Sequence, residues 1–67
     1  MMSNQYWINE HKKSIQKARK GIDYCEKRIK EKPELWIIKE YKAVIQNNKK
    51  EIKQLKRTIE RIRKLKN

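Results

Sequence analysis

Apolar residues recur along this chain with a seven-residue period, in two blocks that meet near its middle. Ile8, Ile15, Ile22 and Ile29 form one series, with His11, Ala18 and Cys25 three residues behind. Ile38, Ile45, Ile52 and Ile59 form the other, followed at the same offset by Tyr41, Asn48, Leu55 and Ile62. A repeat of seven, split three and four, is a helix seam that needs a partner helix. The isoleucine series takes heptad position a and the second series position d. Neither block alternates as a strand would.

The pattern predicts helix 1 over about residues 4–31 and helix 2 over about 33–66. Ser3 or Asn4 suits the first cap, since either side chain can accept from the free amides of a helix start. Gly21 interrupts helix 1 at a cost of ~1 kcal/mol relative to Ala, and Asp23 with Glu26 would suit a capping box after a break there. The isoleucine phase crosses Gly21 without a slip, so one helix is expected. Asn47-Asn48 is the matching weak point of helix 2, where Asn48 with Glu51 could cap a third helix. The phase again runs through, and a lone seam Asn can fix register. The break falls at Lys32-Pro33, because proline disrupts a helix interior and favours a first turn. Glu34 then places a negative charge near the positive helix end. The turn, at 31–33, holds no Gly, so a kinked continuous helix is the alternative.

Folding back at this turn brings Ile29 level with Ile38, Ile22 with Ile45, Ile15 with Ile52 and Ile8 with Ile59. The expected fold class is all-α: one domain over 1–67, an antiparallel, coiled-coil-like two-helix hairpin. A chain of 67 residues buries little surface, and such a hairpin alone hardly offsets the entropy of ordering it. A homodimer closing into a four-helix bundle is therefore expected. Its interface falls on position g, which holds Trp7, Ser14, Gly21, Ile37 and Val44, with Arg28, Glu51, Thr58 and Leu65 along the same side. The e side is cationic: Lys12 should lie near Lys56 and Arg19 near Lys49, with only Glu26 opposite Lys42 attractive.

Formal charge of +12 changes the picture from scaffold to binder of a polyanion. The plainer source of so much Lys and Ile is an AT-rich genome. Residues 49–66 carry nine basic and two acidic residues, so the charge gathers at the open end. Lys42, Lys49, Lys50, Lys53, Lys56, Arg57, Arg63 and Lys64 make a stripe spanning ~33 Å at helical rise. With Lys12 and Arg19 they are the candidate binding residues. They could follow a DNA or RNA backbone with little reading of sequence, or remain the solvated flank of a structural coiled coil. Fifteen Lys against five Arg weighs against bidentate, specific recognition.

Other chemistry is thin. His11 has no cluster of metal ligands around it, and Cys25 has no partner for a nucleophile pair. His11 reads as a seam histidine and Cys25 as a small buried residue. No enzyme, cofactor or metal is expected. Trp36 at position f, beside Ile37, suits a partner anchor or burial in a dimer. Tyr6 and Trp7 suit a bundle cap more than base stacking. No apolar run exceeds four residues, which excludes a transmembrane span, and seams built for helix partners argue against a membrane surface as partner. The first residues hold no signal-peptide core and the single Cys25 suits a reducing compartment, so a cytoplasmic location is expected.

The two-helix outline is similar to that of small RNA-binding helical hairpins that dimerise into four-helix bundles. It is a similarity of architecture, carried by no motif. The leading expectation is a small basic nucleic-acid-binding or regulatory protein. The alternative is a phage or mobile-element protein that inhibits or adapts a host protein through that partner's acidic surface.

Overall fold

Ser3 starts the first helix. Its Oγ accepts from the Tyr6 amide at 3.3 Å, meeting one of the donors a helix start leaves free. In this computed structural model, which describes residues 3–65, helix α1 runs Asn4–Lys30 and helix α2 Leu35–Lys64. The helices pack against each other along their lengths. The Cα envelope measures 51 × 14 × 14 Å, a rod of two helices side by side. Neither Gly21 nor Asn47-Asn48 breaks its helix.

The connection is longer than the proline alone predicts. α1 ends at Lys30, and the Glu31 and Lys32 amides donate back to the Arg28 and Ile29 carbonyls. Lys32 then takes a left-handed backbone, φ 56°, the reversal usually left to Gly at this position. Pro33 therefore lies outside α2, and Glu34 is its cap residue. The Glu34 carbonyl accepts from Ile37 and Ile38. Its carboxylate does not cap; it accepts instead from Trp36 Nε1 at 2.7 Å. The far end of α2 stops at Lys64, and Lys66, the expected limit, falls outside the described residues.

The buried residues are Ile8, Ile15, Ala18, Cys25, Ile45 and Ile59, all seam positions. Ile8, Ile15 and Ile59 gather Ile52, Leu55 and Ile62 into one cluster toward the open end. Each buried Ile contributes ~1.5–3 kcal/mol of transfer free energy. None of the buried side chains is fully sealed from solvent, as expected where only one helix covers each seam. Among the described residues no ion pair joins the helices: Lys13–Glu10, Arg28–Glu31 and Arg63–Glu60 are all three apart in sequence and exposed.

Contacts between the helices mark the register along the rod. Asn4 Nδ2 donates to the Ile62 and Leu65 carbonyls, both at 3.3 Å, tying the start of α1 to the end of α2. Mid-rod, Gly21 lets Asn48 approach closely, for a Cβ at Gly21 would lie 2.7 Å from Asn48 Nδ2. Toward the turn, Tyr24 and Tyr41 meet edge-to-face, centroids 6.4 Å apart. These pairs lie symmetrically about the 31–34 connection, as a hairpin requires.

Candidate functional site

The seam at a and d leaves two unlike sides on the rod. On the e side, the helices part enough to form an open groove of about 440 Å³. Lys12, Gln16 and Arg19 rise on one wall, Lys56, Glu60 and Arg63 on the other, and Ile15 and Ile59 form the floor. The spacing explains the arrangement. Lys12 and Arg19 are two turns apart on α1 and Lys56 and Arg63 two turns apart on α2; Lys12 and Lys56 precede a buried isoleucine by three residues, and Arg19 and Arg63 follow the same one by four. All four are exposed and flank the buried Ile15 and Ile59, a placement that suits aliphatic stems along the apolar floor with the charged ends in water.

Four cations and one carboxylate leave the groove a net +3. Glu60 is spent on its own helix, 3.5 Å from Arg63 Nη1. Lys12, Arg19 and Lys56 have no ion pair among the described residues. Lys12 and Lys56 thus line opposite walls of one groove with no ion pair of their own, a mildly unfavourable arrangement that a bound anion would relieve. The expected Glu26–Lys42 attraction is not made. Both residues are exposed and no ion pair joins them, because an exposed pair gains too little to hold two long side chains together.

The remaining candidates, Lys42, Lys49, Lys50, Lys53, Arg57 and Lys64, are all exposed but lie outside the groove walls. They extend the cationic surface along α2 without shaping a site. Gln16 and Glu60 were missed from sequence. Both sit at position b, the neighbour of e on the helix surface, and each directly follows a floor isoleucine. That adjacency was the available signal.

Family models, curated proteins and solved structures gave no match to this chain. The site must be read from its own chemistry.

The g side is different in kind. Trp7 is 47% exposed, Val44 43% and Leu65 63%, while Ser14, Ile37 and Thr58 are half-buried. Gly21 is half-buried too, and its open side already accommodates Asn48 of the same hairpin. Ser14 Oγ donates to the Glu10 carbonyl at 3.3 Å. Arg28 is held within its own helix: it donates to Tyr24 Oη and to Glu31, which raise its pKa further above the ordinary guanidinium value.

At the turn end Trp36 is 64% and Leu35 79% exposed. Tyr6 and Trp7 form an edge-to-face pair, centroids 5.2 Å apart, at the open end. His11 Nδ1 lies 2.7 Å from the Trp7 carbonyl oxygen, suited to an imidazole N–H donating to it. Cys25 is a buried free thiol. Among the described residues there is no group of three His, Cys, Asp or Glu side chains able to hold a metal, and no helix long and apolar enough to cross a membrane.

Proposed function

We propose that this chain is a nucleic-acid-binding helical hairpin that grips the phosphate backbone through its e-side groove. The observation carrying this is the uncompensated set Lys12, Arg19 and Lys56, joined by Arg63. The groove places cations on both helices around one open trough, the arrangement a line of phosphates would fill. Base reading is not part of the proposal. Two helices side by side, each ~10–12 Å across, are wider than the ~12 Å major groove of a duplex. Contact through this broad side is with the backbone, so binding is insensitive to sequence and steeply dependent on salt. Labelled duplex DNA and single-stranded RNA, titrated across a salt series, test it. Tight binding that falls linearly in log–log form is expected. Negligible binding of both at low salt would end the proposal.

The hairpin is further proposed to work as a homodimer through the g side, where Trp7, Val44 and Leu65 are left partly bare. A monomer mass persisting at high protein concentration would refute this.

A second reading is favoured by Trp36 and Leu35, exposed side by side at the turn end. In it the chain is an inhibitor or adaptor of a host protein, gripping an acidic surface and anchored by Trp36. Trp36→Ala separates the two. Nucleic-acid affinity should be unchanged by it, whereas loss of a protein partner's binding would favour the second.

A further inference from the structure

Charge is distributed unequally around the rod. On the g side and its neighbouring c positions, the two helices carry Lys17, Arg28 and Arg61 against Glu10, Glu40 and Glu51, a net of zero. On the e side and its neighbouring b positions, nine basic and three acidic residues leave +6. The outer f positions carry another +6, from six basic residues and no acidic one. One long side of a +12 chain is therefore neutral, and it is also the side with Trp7, Val44 and Leu65 bare.

A second copy is the occupant that fits this side. Two +12 chains repel least where neither presents net charge, because charges beyond about 8–10 Å are screened at physiological salt. An acidic partner would be drawn to the e and f surfaces instead. Taken at its 51 × 14 Å outline, the side offers roughly 700 Å², close to the ~800 Å² per partner of a standard interface. The chain also lacks a sealed core of its own, which a second layer of helices would supply.

Pairing through the g side has a geometric consequence. Each hairpin's groove lies across the seam from the joining surface, so the two grooves of a dimer face opposite ways. With helix layers ~8–10 Å apart, they lie on opposite surfaces of a four-helix rod. A stiff duplex lying in one groove cannot reach the other. The geometry points to a bridging function: the dimer holds two separate nucleic-acid segments on opposite sides, bringing duplexes together. This rests on the groove's binding phosphate and extends it from one segment to two.

A capture assay tests the idea. One duplex of about 30 base pairs, roughly twice the rod's length, is immobilised, and a second, fluorescent duplex of equal length is offered with the full-length protein. Captured label should rise with protein and fall again in excess, when each duplex is coated by separate dimers. Val44→Glu buries a charge in the proposed interface. It should reduce capture about tenfold or more while single-duplex binding persists. Ala43→Glu makes the same charge change on the outer surface and should leave capture intact. Should Val44→Glu lose its helical signal, Trp7→Arg on the same side replaces it. Protein that binds a duplex yet never captures a second overturns bridging and leaves the groove reading standing. Equal capture by wild type and Val44→Glu overturns it too, as does equal loss in Ala43→Glu. No binding of either duplex overturns both.

Discussion

Gly21 and Asn48 show how much one missing methyl can decide. Gly in a helix interior costs ~1 kcal/mol relative to Ala, and α1 accepts that cost where Asn48 comes closest. The added Cβ of Gly21→Ala would lie 2.7 Å from Asn48 Nδ2, so the short Asn side chain must swing away. The usual stabilisation should therefore fail to appear in Gly21→Ala alone and return in the Gly21→Ala/Asn48→Ala double variant. Denaturant midpoints of the four proteins give the coupling directly; strict additivity would mean the pair is not in contact. Lys32 is the other residue under local constraint. Its φ of 56° suits Gly, so Lys32→Gly should raise stability by ~1 kcal/mol, or roughly 4–8 °C in a domain this small. An unchanged or lower midpoint would contradict that reading of the turn.

At the scale of elements, the isoleucine period was enough to place both helices, their antiparallel pairing and the seam. It worked because a buried seam has only one solution: a one-position slip would expose every Ile. That Lys12, Arg19, Lys56 and Arg63 share the e side was legible for the same reason, since position e is fixed once a is fixed; which of them line one groove was not, for Arg19 joins Lys56 and Arg63 there and Lys49, its expected neighbour, lies outside. What the sequence did not reveal depends on backbone or on side-chain competition. A left-handed Lys32 leaves no trace in composition, so α2 begins at Leu35 and not at Pro33. Glu26 and Lys42 are level by register but prefer water to each other. Glu34, read as a charge at a helix start, gives its carboxylate to Trp36, and α2 goes without a side-chain cap. Glu34→Asp shortens the reach to the Trp36 indole and offers a better capping group. It should stabilise α2 by about 0.5–1 kcal/mol, visible as a higher thermal midpoint by circular dichroism. The tie at the opposite end is tested by Asn4→Ala, which removes both bonds to the Ile62 and Leu65 carbonyls. It should cost ~0.5–1.5 kcal/mol, with hydrogen exchange rising first in the last turn of α2; unchanged exchange there would deny Asn4 that role.

The whole molecule is a thin, strongly cationic rod, and the central question is whether its charge acts as a site or only as a total. Any +12 chain attracts nucleic acid at low salt, so binding alone does not separate the two. Location does. Lys12→Gln/Arg19→Gln/Lys56→Gln removes three cations from the groove walls. Lys13→Gln/Lys20→Gln/Lys27→Gln removes three from the outer f positions of α1, so both variants have the same net charge. The measurement is duplex affinity against salt for wild type and these two variants. If the groove is the site, its variant loses affinity and its log–log salt slope becomes shallower by roughly three, while the outer variant stays near wild type. Equal weakening and equal slopes in the two variants would mean that total charge, not the groove, binds the polyanion.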